Sequence, residues 1–171
     1  MPPQTEKPTV SLIINRIVSD PLEVVLLDTP TAALCRLVYP GHPKGCPNLG
    51  KVDRCPPKAP LYNSGDYFTI AAVQYDLAAR AAQLKALHPE WTDRQCRCCL
   101  YWQGSVRKAL REWIKKIPTT RRSYVQRAFG LDVDETPEAK GANVFAMMEK
   151  CGHPMERQQP LHTVWKVAFL S

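Results

Sequence analysis

The segment C-R-L-V-Y-P-G-H-P-K-G-C-P-N-L-G-K-V-D-R-C-P-P-K-A-P, from Cys35 to Pro60, decides how the chain is read. Its cysteines, Cys35, Cys46 and Cys55, are spaced C-x10-C-x8-C, and the prolines and glycines between them forbid both a long helix and a central strand. Connections longer than about 12 to 15 residues are uncommon inside a compact domain unless they bind something or are disordered. Thiolate sulfur is a soft ligand that selects zinc or an iron–sulfur cluster, so three cysteines gathered round one point can stand in for a missing local core. The prolines that follow Cys46 and Cys55 stiffen the chain just beyond each thiol, and Gly41, Gly45 and Gly50 supply turns. The plain alternative, three unlinked buried thiols, leaves that proline and glycine pattern without a purpose.

Structural zinc favours tight C-x2-4-C knuckles, and no two of these three cysteines lie that close in sequence. A cluster distributes its thiolates over several irons and suits wider spacing. A [4Fe-4S] centre is therefore the expectation, with zinc as the alternative.

G-C-P-N-L-G-K followed by R-C-P-P-K-A-P resembles the loop of an uncharacterised family of predicted metal-binding, iron–sulfur proteins, in which a Cys precedes C-x-x-Y-G-K and then C-P-P. The later segment P-E-A-K-G-A-N-V-F-A-M-M-E-K-C-G, Pro137 to Gly152, is similar to that family's E-A-x-G-I-D-V-F stretch. Together the two segments span about a quarter of the chain. The resemblance implies a cluster-type site with Cys35, Cys46 and Cys55 as ligands and no assigned activity. The chain departs from the pattern at Leu49, where an aromatic is usual, and the two segments that carry the resemblance leave the fourth ligand open. Candidates are Cys96, Cys98, Cys99 and Cys151. Cys96 is preferred because it flanks an apolar helix stripe, whereas Cys99 lies on the stripe and reads as a core thiol. His42 and the Cys151/His153 pair are reserves.

Around this loop, 171 residues with 44% apolar content suffice for a single domain with one core. Met1 to Pro8 reads as a flexible polar tail. No window holds 18 apolar residues, and seven cysteines without a signal-peptide pattern suit a reducing compartment, so a soluble cytoplasmic protein with no membrane partner is expected.

Lys and Arg number 23 against 16 Asp and Glu. The excess is local. From Thr92 to Arg127 there are ten basic residues and two acidic ones, Asp93 and Glu112, leaving the remainder near neutrality. Thr92-Asp93-Arg94-Gln95 has the form of a capping box, and the spacing of Cys99, Trp102, Val106, Leu110, Trp113 and Ile117 predicts one amphipathic helix as far as Pro118. Its other face carries Arg107, Lys108, Arg111 and Lys115, and Arg121 and Arg122 follow. Such a face is ordinarily just solvated. With Tyr101 or Trp102 available for stacking, it also suits contact with a nucleotide or nucleic acid.

Thr9–Val18 and Leu22–Asp28, rich in branched residues and separated by Ser19-Asp20-Pro21, predict an N-terminal hairpin. Leu161–Leu170 predicts a closing strand beside it. Leu77, Ala81, Leu84 and Leu87 predict a helix stopped by Pro89 and entered from a short strand after Asp66, with Asp66 and Asp76 as solvating or capping acids. Pro137–Cys151 predicts a second helix burying Val144, Phe145 and Met148, with Met147 and Met148 as core filler and Gly152 as its cap. The fold expected is α+β, a small antiparallel sheet with helices on one side and a cysteine-rich metal loop. No phosphate-binding, dinucleotide-binding, nucleophile-elbow or H-E-x-x-H motif is present. Two functions follow: an iron–sulfur protein doing redox or modification chemistry on a nucleotide or nucleic-acid base, or a structural zinc protein that binds nucleic acid without chemistry.

Overall fold

The run Tyr67–Asp76 contains neither proline nor glycine and no charge before its last residue, so hydrogen-bonded partners can lie along both of its edges. In a computed structural model, which describes residues 11–38, 42–118, 132–156 and 162–171, this run is the axis of the sheet. We label it β3. β1 (Ile13–Val18) pairs with it antiparallel, from Ile13 opposite Tyr75 to Val18 opposite Ala71, with an irregularity between Ile13 and Asn15. β5 (Thr163–Leu170) pairs antiparallel along its other edge, from Thr163 opposite Asp76 to Leu170 opposite Thr69. β4 (Val133–Asp134) adds to β5, and the two-residue β2 (Leu22–Glu23) meets the start of β3. The expected tail at Met1 to Pro8 and the cations Arg121 and Arg122 lie outside the described residues.

The class is α+β with a small antiparallel sheet. The pairing differs from the hairpin expected. Among the described residues β1 and β2 do not pair with each other; both pair with β3, as does the closing strand. Pro21 and the short reach of β2 leave little ladder for a hairpin, whereas β3 offers ten residues.

Residues on β3 alternate between two cores. Ala71, Val73 and Tyr75 join Val164, Ala168 and Leu170 under α4 (Gln103–Lys116), whose Val106, Leu110 and Ile114 are buried there. Phe68, Ile70 and Ala72 join Val167 and Phe169 on the opposite face, which is closed by Val144, Met147 and Met148 of the short helix α5 (Val144–Lys150). With both faces covered, β3 reads as a continuous apolar run instead of an alternating one. The Trp113 indole fastens α4 to the β1 edge, donating to the Ile17 carbonyl at 2.9 Å.

The other helices are set by local chemistry. α1 (Thr31–Leu34) is a single turn. α2 (Leu77–Leu87) is capped by Asp76, whose carboxylate accepts from the Ala79 N–H at 2.8 Å; Leu77, Ala81 and Leu84 are buried, while Leu87 at the frayed end is exposed. The Thr92 capping box forms as predicted and starts α3 (Asp93–Cys96).

The single helix expected from there to Ile117 is broken. A 3-10 turn at Cys99–Tyr101 intervenes before α4. The cause is Trp102, which turns inward to stack on Tyr75 at 6.0 Å and donates its indole N–H to the Arg97 carbonyl at 3.1 Å. A continuous helix would give that carbonyl to the N–H of Tyr101, which bonds to Cys98 instead. The break rotates the preceding turn, so Cys99, expected in the core stripe, is exposed and Ile114 joins the stripe.

The helix expected over Pro137–Cys151 is also interrupted. A 3-10 turn, Pro137–Lys140, ends at Gly141 with φ +93, and Ala142 then bridges antiparallel to Leu26 in the chain after β2: Leu27 N–H donates to the Gly141 carbonyl at 2.8 Å and Asn143 N–H to the Val25 carbonyl at 2.7 Å. Asn143 then caps α5. The restart buries Met147 and Met148 and leaves Phe145 partly exposed, in place of the buried Phe145 expected. Gly152, φ +77, closes α5 as predicted.

Leu110 is fully buried midway along α4. Leu110→Ala is expected to lower the unfolding free energy by about 2 to 5 kcal/mol, measured by urea denaturation, with an unchanged denaturant slope.

Candidate functional site

The cysteine loop leaves the fold and returns to it at one place. At its start the Thr31 hydroxyl donates to the Glu138 carbonyl at 3.2 Å, and at its end the Tyr62 N–H donates to the Lys140 carbonyl at 2.9 Å. A Cβ added at Gly141, the next residue, would come into van der Waals contact with both Leu61 and Thr31. The segment quoted above for its likeness to the metal-binding family is thus the clamp on the loop carrying the other quoted motif.

Within the loop, backbone bonds replace a core. Cys46 N–H donates to the Cys35 carbonyl at 2.8 Å, Gly50 N–H to Pro56 at 2.8 Å, and Cys55 N–H to Val52 at 2.9 Å. Gly45 makes the first of these possible. It adopts φ +80, and a Cβ there would stand 2.6 Å from the Cys35 carbonyl oxygen. Gly50, φ +72, faces open space.

Cys35, Cys46 and Cys55 are free and half-buried. The Cys35 thiol is pushed up by burial and then by the charges that Cys46 and Cys55 carry as thiolates, which places both within electrostatic reach of it. Among the described residues no three His, Cys, Asp or Glu side chains close on a point as one metal ion requires.

The fourth-ligand candidates lie in other settings. Cys96 is buried between α2 and α3 against Ala81, Leu84 and Trp91. Cys98 is half-buried. Cys151 borders the second core, its thiol pushed up by burial, and His153 rests against Trp165 with ring centres 5.4 Å apart. Of the aromatics considered for stacking, Trp102 is committed to the core. Tyr101 joins a surface ladder with Trp91 and His88, at ring separations of 5.0 and 4.1 Å.

The basic face of α4 divides. Lys108 and Lys115 point to solvent, Lys108 within 4.0 Å of Glu112. Arg107 and Arg111, one turn apart, instead line a cleft of about 260 Å³ with Arg54 of the cysteine loop, Lys140, and Lys166 of β5. Sequence reasoning missed the last three. Lys166 did leave a signal, as the lone charge inside an apolar strand whose faces are both covered. It is held by a hydrogen bond to the Glu135 carbonyl at 2.9 Å, and burial pulls its ammonium below the usual lysine range, with Arg107 adding to the fall.

The cleft's two carboxylates are already matched. Glu135 accepts both arms of Arg111, at 2.6 and 3.0 Å. Asp134 accepts from Tyr62 Oη at 2.5 Å, from the Thr136 N–H at 2.8 Å, and pairs with Lys140 at 3.2 Å. Burial opposes its charge, but these donors together hold its carboxyl below the ordinary value. Since the Tyr62 ring also packs tilted against Phe68, with centres 4.5 Å apart, this cluster ties the end of the cysteine loop to the sheet.

Compared with protein-family models, curated proteins and solved structures, the chain matches none. The likeness to the iron–sulfur family is one of motifs, carried by the residues quoted for it. Among the described residues no helix is long and apolar enough to cross a membrane.

Gly50→Ala is expected to cost about 1 to 2 kcal/mol of stability, the price of positive φ alone. Gly45→Ala adds a backbone collision worth about 1 to 3 kcal/mol more, and paired urea titrations should rank the two in that order. The stabilisation from Asp134 is complete above its ordinary value of 3.8 and disappears as the pH falls through its lower folded value. Thermal midpoints of the wild type and Asp134→Asn should therefore differ most above that pH and converge in acid.

Proposed function

We propose that the chain binds an iron–sulfur cluster through Cys35, Cys46 and Cys55 and acts on a nucleotide or nucleic-acid base held beside it by the basic residues of α4. The observation that supports this reading is the loop itself: about thirty residues that bury few large apolar side chains, folded on backbone hydrogen bonds and clamped at both ends, with Cys46 and Cys55 both acting electrostatically on Cys35.

Such a cluster supplies one-electron redox chemistry or an open iron that acts as a Lewis acid. The chain's own residues set the conditions around it. The clamp fixes the ends of the loop, the glycine turns shape the chain between the thiols, and Arg54, next to Cys55 in sequence, supplies positive charge beside an anionic centre. Cys96 was preferred as a fourth ligand, but its apolar surroundings suit a core thiol. The reading favoured by the geometry therefore has three protein ligands and leaves the fourth position to a substrate or external ligand.

Protein purified without oxygen should be brown, absorb in the iron–sulfide charge-transfer region, and contain iron and sulfide in equal amounts. Cys46→Ser and Cys55→Ser should each lose most of that iron while Cys96→Ser retains it. A colourless protein carrying stoichiometric zinc would establish the structural-zinc alternative, and a folded, metal-free protein prepared with iron and zinc supplied would remove both.

A further inference from the structure

The cleft between the cysteine loop and α4 assembles charge from separate parts of the chain. Arg54 comes from the loop, Arg107 and Arg111 from α4, Lys140 from the 3-10 turn and Lys166 from β5. Two of these cations are already neutralised in place, Arg111 by Glu135 and Lys140 by Asp134. Arg54 and Arg107 have neither an ion pair nor a side-chain hydrogen bond to another described residue, and Lys166 donates only to a backbone carbonyl.

That remainder is costly to leave bare. Lys166 is largely withdrawn from water, with the guanidinium of Arg107 near it; among the described residues the anions that act on it are Glu138, Glu135 and Asp134, of which Glu135 is paired with Arg111 and Asp134 with Tyr62 and Lys140. Like charges brought together in a partly enclosed space are unfavourable, and a multivalent anion among them offsets that repulsion. Two arginine forks and an ammonium are the donors that grip the oxygens of a phosphate.

We propose that this cleft binds the phosphate group of a small molecule, gripped by Arg54, Arg107 and Lys166. The inference deepens the reading of α4 as the anion-binding side of the site and does not depend on the cluster. At about 260 Å³ the cleft lies below the range of roughly 300 to 1,000 Å³ usual for whole drug-sized ligands, so it takes a phosphate and the first atoms attached to it. A polynucleotide would instead run along exposed cations, and Lys108 and Lys115 do not line this cleft. Because Arg54 immediately precedes Cys55, a phosphate anchored here leaves the rest of its molecule free to extend along the cysteine loop.

The test is calorimetric titration of the full chain, prepared without oxygen, with inorganic phosphate, adenosine monophosphate, adenosine and a short oligothymidylate, with metal content measured on the same samples. Phosphate and adenosine monophosphate should compete for one site that adenosine does not occupy. Arg54→Gln and Arg107→Gln, both at exposed positions, should each weaken adenosine monophosphate binding about tenfold or more, the scale of one hydrogen bond to a charged group, with thermal midpoints unchanged. Absence of phosphate and adenosine monophosphate binding, or affinities indifferent to both arginine variants, overturns the proposal. Oligothymidylate binding that neither variant alters, in the absence of phosphate and adenosine monophosphate binding, would also overturn it, while leaving a nucleic-acid partner for the outer face of α4. Phosphate binding without oligothymidylate binding supports the cleft and removes the nucleic-acid partner. Loss of iron with phosphate binding intact removes the cluster and leaves the cleft standing.

Discussion

Residues Glu138 to Gly141 hold the protein's least self-sufficient part. The segment between Thr31 and Tyr62 buries few large apolar side chains, yet both ends are fastened to this one turn, by the Thr31 hydroxyl on Glu138 and the Tyr62 amide on Lys140. Closing a loop costs entropy that rises only slowly with its length, so fastening the ends is affordable for a long loop. Without internal crosslinks, though, the interior would stay free. The backbone bonds from Cys46 to Cys35 and from Gly50 to Pro56 subdivide it into shorter turns.

Charge is arranged around that loop in two unlike regions. On one side burial, and then Cys46 and Cys55, raise the proton affinity of the Cys35 thiol. On the other, beyond Arg54, cations outnumber carboxylates and favour an anion. The Asp134 cluster stands between them, its carboxylate satisfied by Tyr62, Thr136 and Lys140, with Lys140 also over the Tyr62 ring at 5.5 Å. It binds loop to sheet without adding net charge to either region.

Much of the architecture was legible because local chemistry decided it. The α+β class, the closing strand, the Thr92 capping box, the Asp76 cap and the Gly152 terminus all follow from residue type and spacing. Where the reading failed, distant partners intervened. Trp102 follows the helical period, yet its stacking on Tyr75 and its bond to Arg97 outweigh one turn of helix. Gly141 to Asn143 could have continued a helix, but the strand-like partners Val25 and Leu27 take those amides and carbonyls first. β3 was masked by its own burial, since a strand covered on both faces loses the alternation that identifies strands. The loop cysteines were legible from spacing, whereas Arg54, Lys140 and Lys166 are joined only by tertiary folding; no motif links them.

The clamp also carries a consequence for biosynthesis. Thr31 and its acceptor on Glu138 are 107 positions apart, and Val25 and the Met147 sulfur it touches are 122 apart. A ribosome must make most of the chain before either contact can form, so the cysteines emerge early and spend most of translation unsheltered. Assembly of any inorganic centre there belongs to the end of synthesis, and until then reducing conditions in the surrounding fluid are what keep the sulfurs usable.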